Sequence, residues 1–521
     1  MKFGPSRVRT ALIGFIFLGS VPAQVYIPAE PLDVLTSEQS YFLGFDKSEP
    51  LLLRPHFDPD RSPYGSWSFR WRSEFFYNST APNLENTADL WIARGFSGFN
   101  SMNFSYWNKY IVLTFEPMVF YSQNREYYEP LRLLKFSRLN DNRPFDDTPV
   151  VTPRIREAQF YLHHRGIGIG ISNANMWWGS GIHSSITMTS NTTGFRHYML
   201  GTVHEKRIKD WGLNFRYIFS KLDKTNGSPF YSAIIMTTTL HKNPRFTLGF
   251  SRAFLSGGSL VAPGITWKEA AKLPLIFNEK TPDDKRWDET LAVYLNIDFQ
   301  KAGLKLFWEF GRQNLPETSL DFARFPDHSA ASVLGLRKYG LFGLKHLILG
   351  FEYINLARGK FWGTLRDPDW YSLSQFDFNS YDGRHWAAHS GPDSDDFLFL
   401  LGYLKQPYQI VFEFNYERHG IIRPQAVIYA PAGTLWQEYS GWMILEDDLY
   451  VQKLLNRFPE VKFEFRTKLG IEFGGFQYSL FYEYEIVDNY EFRSGDATPS
   501  GNFKAERRGS VVRFSVEKKL F

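Results

Sequence analysis

Apolar residues at every second position recur along the whole of this chain, and the connections between these stretches alternate between short and long. In residues 211–219 and 476–484, aliphatic or aromatic side chains alternate with polar ones. A period of two is typical of strands whose two faces meet different environments. The pattern predicts eighteen strands, near residues 68–78, 96–107, 110–122, 156–164, 166–175, 195–206, 210–220, 231–240, 246–255, 290–300, 303–313, 331–339, 346–355, 396–405, 408–417, 460–473, 476–486 and 508–520.

The lengths of the connections decide between a soluble sandwich and a membrane barrel, because strands alternate in both. Each even strand is followed by a short connection, such as Arg165 alone or the pair Gln406-Pro407, whereas most odd strands precede longer ones. Short turns on one side and long loops on the other are typical of outer-membrane barrels, since only closed barrels satisfy strand backbones in lipid. The sequence therefore predicts an all-β fold. It is a transmembrane antiparallel β-barrel of about 18 strands with short periplasmic turns, long extracellular loops and a small N-terminal periplasmic segment.

The composition fits this architecture and excludes several others. Aromatic residues make up 18% of the chain, yet the mean hydropathy is −0.32. A polytopic helical membrane protein would need repeated apolar runs of about 20 residues, which this average argues against. The chain has no cysteine, which excludes disulfides and cysteine-based zinc sites. The small net charge of +4 does not suggest a nucleic-acid partner.

The N-terminus has the pattern of an export signal. Lys2, Arg7 and Arg9 precede the apolar residues 11–19, and small residues at 21 and 23 allow cleavage after Ala23. The predicted domains are thus a signal peptide at 1–23, a periplasmic segment at 24–67 and an outer-membrane barrel at 68–521. A capping-box pattern at 36–39 leaves two possibilities for the periplasmic segment, a short helix near 36–44 or an extended arm.

Motifs of catalysis and of metal binding are missing from the sequence. There is no Gly-x-Ser-x-Gly elbow, and the His204-Glu205 pair has no second histidine at the spacing that zinc proteases require. The pairs Asp395-Asp396 and Asp447-Asp448 are interpreted as solvated loop carboxylates. We therefore predict a protein that is not an enzyme, with no catalytic residues, no metal and no cofactor.

Residues 173–198 stand apart from the rest of the chain. Trp177 and Trp178 are followed by Gly179 and Gly181, and then by a run rich in hydroxyl and amide side chains. One interpretation is a loop folded into the barrel mouth, with its tryptophans packed and its polar groups hydrogen-bonded. The other is a sugar-contacting wall, because aromatic faces suit pyranose rings and amides or arginines pair with sugar hydroxyls.

The same segment resembles a motif of the Wzi-type capsule assembly proteins. That family has Trp-Trp-Gly-Pro-Gly, then Asn-Ser, Ser-Asn-Asn, Gly-Phe-Pro-His and a threonine. The similar residues here are Trp177 to Gly181, Ser184-Ser185, Ser190 to Thr192, Gly194 to His197 and Thr202. Ser180 and Arg196 replace the prolines of the family, and Ser184 and Thr192 replace asparagines. Further similarity at 93–96 and 249–253 extends the resemblance over roughly residues 65–315, and the C-terminal part matches weakly.

The resemblance implies an eighteen-stranded outer-membrane barrel that is occluded by loops and by a small periplasmic helical element. It also implies a non-catalytic role in binding capsular or other surface polysaccharide and in assembling or attaching it at the cell surface. The partners would be that polysaccharide, outer-membrane lipid and the outer-membrane assembly machinery. The alternative function is a porin for small solutes or oligosaccharides, because an eighteen-stranded barrel is wide enough for a water channel.

Long loops at 356–395 and 418–459 interleave aromatic residues with arginines, which suits an acidic polymer rich in hydroxyl groups. Such aromatics could equally pack the loops together over the lumen. Residues 446–458 could form a short helix. The predicted ligand-binding residues are Trp177, Trp178, Asn191, Arg196, His197, Trp362, Arg366, Trp370, Tyr371, Arg384, Trp386, Arg423 and Trp436.

Overall fold

The computed structural model describes most of the chain. The described residues are 26–27, 30–45, 50–57, 65–128, 130, 132, 134–141, 148–223, 227–261, 264–276, 286–314, 330–357, 370–371, 373–421, 425–430, 442–445, 449–455, 459–492 and 506–520. The predicted signal peptide lies outside them.

Eighteen antiparallel strands close into one barrel, which confirms the predicted fold. The barrel closes where Val511–Leu520 of the last strand pairs with Asn78–Phe69 of the first. The sixth strand is interrupted, and both of its parts pair with the seventh. The strands are β1 Ser66–Asn78, β2 Gly95–Trp107, β3 Ile111–Ser122, β4 Val150–His164, β5 Ile167–Ser172, β6 His197–Thr202 with Lys206–Ile208, β7 Trp211–Lys221, β8 Phe230–Leu240, β9 Arg245–Ser256, β10 Trp287–Phe299, β11 Leu304–Gln313, β12 Ala330–Tyr339, β13 Leu347–Asn355, β14 Ser394–Lys405, β15 Tyr408–His419, β16 Glu460–Phe473, β17 Phe476–Asp488 and β18 Arg507–Leu520.

Side chains alternate between the outside and the inside of the barrel, as the period of two predicts. In β2, Phe96 is 55% and Met102 is 47% exposed, whereas the residue that follows each of them, Ser97 and Asn103, is buried. The exposed apolar side chains form the outer face that lipid covers, and the polar ones point into the lumen. This division explains how the chain combines many aromatic residues with a negative mean hydropathy.

A helix, α1 (Pro31–Phe42), lies inside the barrel at the end of the short turns. It is placed there by contacts such as the hydrogen bond from Gln300 Nε2, in the β10–β11 turn, to Tyr41 O at 3.0 Å. The helix confirms one of the two possibilities for the periplasmic segment, but it starts earlier than expected. Pro31 occupies the first turn, and Thr36 lies in the helix interior, where its hydroxyl donates to Leu32 O.

Short elements occupy the lumen and the long loops. Small strand pairs join Tyr26–Ile27 to His56–Phe57, Leu53–Arg54 to Trp177–Trp178, and Ser380–Tyr381 to Arg384–His385. A second helix, α2, spans Trp267–Lys272, and 3-10 turns occupy Leu134–Arg138, Leu273–Leu275, Gln300–Ala302, Leu341–Gly343, Ser374–Phe376 and Tyr490–Phe492. Within the described ranges, no helix combines the length and apolar character that crossing a membrane requires.

One long loop differs from expectation. The strands Gln425–Ala430, Trp442–Leu445 and Leu449–Leu455 form a three-stranded sheet. The short helix expected at 446–458 is therefore wrong, since its central part pairs as a strand. Val451 and Leu454 favour that outcome, because a β-branched and an apolar residue support a strand once a partner strand is adjacent.

Candidate functional site: the lumen plug and the outer mouth

The Trp-Trp-Gly segment lies within residues 173–196, here called the inner loop, which fold into the lumen. Trp177 and Trp178 are 0% exposed and pair as a short strand with Leu53–Arg54. The Arg54 guanidinium lies over the Trp177 ring at 4.6 Å and donates to Gly179 O at 3.0 Å. Burial lowers the pKa of Arg54 to about 9. The two tryptophans therefore pack inside the protein, as the structural interpretation of this motif expected.

Two acidic residues of the barrel wall hold the backbone of the inner loop. Glu352, on β13, accepts hydrogen bonds from the backbone N–H groups of Ile182, His183 and Ser184 at 2.7 to 3.0 Å. Glu309, on β11, accepts from the backbone N–H groups of residues 180 and 186 and from the hydroxyl of residue 185. Both carboxylates are buried, so these charge-assisted bonds fix the loop to one side of the lumen.

Helix α1 is fixed to the same side of the lumen through Glu38. Its carboxylate accepts hydrogen bonds from Lys305 Nζ at 2.6 Å, Arg337 Nε at 2.8 Å and Tyr339 Oη at 2.6 Å. Burial alone would raise the pKa of Glu38, but Arg337 and Lys305 outweigh burial and hold that pKa well below its ordinary value. Arg337 also donates to Ser180 O, which joins the helix anchor to the inner loop.

The polar residues of the motif are largely used within the protein. Asn191 donates through Nδ2 to His385 O at 3.1 Å, and its Oδ1 accepts from Asn86 N at 3.2 Å. Thr187 Oγ1 lies within 2.8 Å of both Ser251 Oγ and Tyr294 Oη on the barrel wall. The buried His197 contacts Phe195 O through Nδ1. These groups satisfy one another, as buried polar groups in a folded loop do.

A second long loop packs on the inner loop from outside. Its described residues 370–371 and 373–393, here called the cap loop, contain four of the predicted ligand-binding residues. All four are at most 6% exposed: Trp370, Tyr371, Arg384 and Trp386. Arg384 donates to Leu84 O and to Thr87 Oγ1, and its burial lowers its pKa to about 10. The cap loop thus has a core of its own over the lumen.

The outer mouth of the barrel presents a column of stacked rings. Tyr381 is partly exposed and stacks on Trp386 at 5.4 Å, which in turn stacks on Tyr231 at 4.9 Å. Arg196 lies near the same mouth, where its side chain is 80% exposed and sits 3.7 Å from the equally exposed Asp223. Arg154, at the outer end of β4, is 31% exposed and pairs with the buried Asp89. This rim combines an aromatic ring with the accessible guanidinium of Arg196.

A cavity of about 700 Å³ runs through the other side of the lumen. Its wall includes α1, the inner loop and the strands β1 and β14–β18, and it reaches the short turns at Gln406 and Gly475. Cations and carboxylates are mixed along it, as Arg156, Arg513 and Glu413 illustrate. Helix α1 and the inner loop, here together called the plug, therefore fill one side of the barrel. They leave a polar space beside them on the periplasmic side.

Four predicted site residues and one of the two predicted carboxylate pairs lie outside the described residues. They are Trp362, Arg366, Arg423, Trp436 and the pair Asp447-Asp448. The interpretation of Asp395-Asp396 as solvated loop carboxylates is wrong. Both belong to β14 and are at most 7% exposed, because the strand begins at Ser394 and carries them into the packed wall.

Sequence reasoning missed the residues that anchor the plug, namely Glu38, Glu309 and Glu352. Glu309 and Glu352 stand on the polar parity of their strands, so the period of two marks them as lumenal acids. Their partners are backbone N–H groups more than a hundred residues away, and no local signal identifies such partners.

The buried His385 makes the cap loop sensitive to acid. Its ring stacks on Tyr371 at 4.3 Å, and burial lowers its pKa to about 3. The neutral ring is favoured in the folded loop, so stability is complete above the ordinary pKa of about 6.5 and falls as the pH drops towards 3. Between pH 6.5 and 4 we expect a loss of roughly 3 kcal/mol. Hydrogen-exchange protection factors of residues 373–393 measure it.

The matched variant is His385→Asn, whose amide can still donate to Phe378 O, the partner of His385 Nδ1 at 3.0 Å. We expect the pH slope of protection to flatten in this variant. An unchanged slope would show that another group controls the acid response.

Taken together, the closed barrel, the lipid-covered outer face and the loops folded into the lumen define the class of this protein as a plugged outer-membrane β-barrel. The capsule assembly protein Wzi family model matches residues 78–498. The chain therefore belongs to the capsule assembly protein Wzi family and is located in the outer membrane. A comparison with curated proteins gave no match.

A solved structure shares the fold at low identity, and others match more weakly. The Wzi protein of Escherichia coli, described as a carbohydrate-binding β-barrel involved in group 1 capsule assembly, is 8% identical. That match has a TM-score of 0.59 and covers 94% of this chain and 99% of the other. OccAB4 of Acinetobacter baumannii matches at 10% identity and a TM-score of 0.41, covering 88% and 99%. OccK7 of Pseudomonas aeruginosa matches at 9% and 0.42, covering 88% and 98%.

Proposed function

We propose that this protein binds capsular or related surface polysaccharide at the outer mouth of its barrel and helps to assemble or attach it at the cell surface, without catalysis. Membership of the Wzi family supports the capsule role, and the description of the Escherichia coli relative supports a carbohydrate ligand. The observation that carries the location is the rim, where the Tyr381 ring lies on a packed aromatic column near the exposed Arg196.

The geometry of the rim suits an acidic polysaccharide. The Trp386 and Tyr231 rings beneath Tyr381 hold it in place, so its binding costs little side-chain entropy. Among the described residues, the partner of the Arg196 side chain is the exposed Asp223, a weak surface pair that leaves the guanidinium accessible for bidentate bonds with a carboxylate of the polymer. We infer that Tyr381 stacks against a pyranose face while Arg196 binds acidic or hydroxyl groups.

The predicted ligand-binding residues take two roles in this proposal. Arg196 is a direct contact, and the residues outside the described ranges remain predicted contacts: Trp362, Arg366, Arg423 and Trp436. The buried ones support the rim from below: Trp177, Trp178, Asn191, His197, Trp370, Tyr371, Arg384 and Trp386. Trp386 illustrates this support, since it lies directly under the Tyr381 ring.

We also propose the division of the chain and its further partners. Residues 1–23 act as a cleaved signal peptide, 24–67 contribute the lumenal plug segment, and 68–521 form the barrel with its loops. The position of α1 within the barrel supports the plug assignment. Outer-membrane lipid covers the outer face, and the outer-membrane assembly machinery inserts the barrel, as β-barrels of this class require closure in lipid.

Binding of an acidic capsular polysaccharide to purified protein tests the site. We expect Tyr381→Ala and Arg196→Ala each to weaken binding about tenfold, because each removes stacking or a charge-assisted bond of roughly 1.4 kcal/mol. The matched control is Lys345→Ala, which removes an exposed cation from a short turn at the opposite end. Surface plasmon resonance on immobilised polymer measures the affinities. If Tyr381→Ala and Arg196→Ala bind the polymer as tightly as Lys345→Ala does, the rim is not part of the binding site.

A further inference from the structure

Three buried side chains from distant parts of the chain meet where the plug contacts the barrel wall. His183 comes from the inner loop, His389 from the cap loop and Asp396 from β14. Asp396 Oδ2 lies 2.9 Å from His183 Nε2 and 3.1 Å from His389 Nε2. All three side chains are at most 6% exposed. Two imidazoles therefore converge on one carboxylate oxygen inside the protein.

Within the described part of the chain, two of these atoms have no well-aligned hydrogen bond, although they are fully buried. They are His389 Nε2 and Asp396 Oδ2. The other oxygen of Asp396 accepts from Asn415 Nδ2 and lies 3.1 Å from His183 Nε2. Buried polar atoms rarely lack a partner, and an unseen ion is one of the standard reasons when they do.

The charges around this cluster leave room for a cation. Lys462 lies within 3.6 Å of Glu417 and Glu464 and also contacts Glu85. Arg466 pairs with Glu85 and Glu464, and with Glu483 at 2.7 Å. Four carboxylates thus share these two permanent cations and His419, which lies 2.7 Å from Glu417. Among the described residues, the ion-pair partners of Asp396 are instead the two histidines, so a bound cation would compensate its buried charge.

We propose that His183, His389 and Asp396 bind a divalent transition metal of the zinc type, which joins the inner loop and the cap loop to β14. Zinc takes imidazole nitrogen and carboxylate oxygen at about 2.0 to 2.2 Å in a tetrahedron, which separates neighbouring ligand atoms by about 3.4 Å. The observed separations of 2.9 and 3.1 Å need to widen by only a few tenths of an ångström.

The surroundings provide a fourth ligand and a route of entry. His183 lines the 700 Å³ cavity, so an ion reaches the site from the periplasmic side of the lumen. Water from that cavity supplies the fourth ligand, as in metal sites with three protein ligands. Glu85 Oε2, 3.6 Å from His389 Nε2, pairs with Arg466 beside the cluster.

Bonds outside the cluster hold both histidines in place. The backbone N–H of His183 donates to Glu352 Oε1 at 3.0 Å, and His389 O accepts from Asn140 Nδ2 at 3.1 Å. Asn86 Nδ2 donates to His183 O at 2.8 Å and lies 3.4 Å from His389 Nδ1. One amide side chain therefore contacts both histidines and helps to fix their relative position.

Metal titration of the purified, chelator-treated full-length protein tests this site. We expect one equivalent of Zn²⁺ to bind, and Co²⁺ to give the visible absorption of a tetrahedral complex. His389→Ala and Asp396→Asn should each weaken Zn²⁺ binding by at least about 100-fold. His164→Ala is the matched control, since His164 is an exposed histidine of β4. Heat-modifiable mobility on denaturing gels shows whether each variant contains a folded barrel.

Two results would overturn the proposal. One is wild-type protein that binds no Zn²⁺ or Co²⁺ at micromolar concentrations. The other is a folded Asp396→Asn or His389→Ala variant that binds as tightly as the wild type. If neither variant folds, anomalous diffraction from zinc-soaked wild-type crystals decides the matter, because the proposal requires the peak between His183, His389 and Asp396.

Discussion

Replacing Glu352 by alanine should release the inner loop from the barrel wall. The carboxylate accepts three backbone hydrogen bonds, from Ile182, His183 and Ser184, and its loss leaves three buried N–H groups without a partner. Bonds to a charged group contribute about 1.5 to 3 kcal/mol each, and they are not fully additive. We therefore expect the docking of the inner loop to lose at least about 4 kcal/mol, with the barrel itself still closed.

Two measurements follow the released loop. Limited proteolysis within residues 173–196 should become fast in Glu352→Ala and remain slow in the wild type. In planar lipid bilayers we expect the wild type to be silent and the variant to open transiently, because the loop fills much of the lumen. Glu413→Ala is the matched control, since Glu413 is a wall carboxylate that lines the cavity. A steady open pore in the wild type would instead support the porin function.

Helix α1 should leave the barrel when Glu38 is replaced by alanine. The substitution leaves the buried Lys305 and Arg337 without the carboxylate that both contact, and breaking a buried ion pair from one side costs about 3 to 5 kcal/mol. Because the chain has no cysteine, a Val34→Cys substitution offers a single thiol that is buried while the helix is docked. The rate of thiol labelling, with and without Glu38→Ala, measures release of the helix.

The same assay gives a pH dependence with a defined sign. The pKa of Glu38 is held well below its ordinary value, so its stabilising effect is complete above about pH 4.5 and is lost as the pH falls below that value. Relative to the same thiol in the unfolded protein at each pH, which corrects for the falling thiolate fraction, labelling of the Val34→Cys protein should therefore accelerate on acidification. In a Glu38→Gln background it should already be fast at neutral pH and change little with acid. A wild-type-like labelling rate in that background would mean that other contacts hold α1.

Prediction from sequence succeeded for elements whose signal is local. The strand β17 is recognisable because each alternate residue from Phe476 to Tyr484 is apolar, and the barrel follows from many such strands with short and long connections in turn. The start of α1 does not follow from its local sequence, because a capping-box pattern at Thr36 competes with the proline at 31 that opens the helix. The Asp395-Asp396 pair differs from its predicted solvated loop because its strand starts two residues earlier than the pattern indicates.

Local patterns in the sequence predict the barrel of about 18 strands and the face of each strand that meets lipid, and the Trp177 motif indicates the family. These features depend on periodicity and on spacing within a few tens of residues. What fills the lumen and what remains accessible at the rim depend instead on long-range contacts. Glu309 meets Ser180 across 129 positions, and Asp396 meets His183 across 213. Such contacts form because barrel closure brings distant strands around one loop, and no pattern in a single stretch of residues encodes which carboxylate meets which backbone.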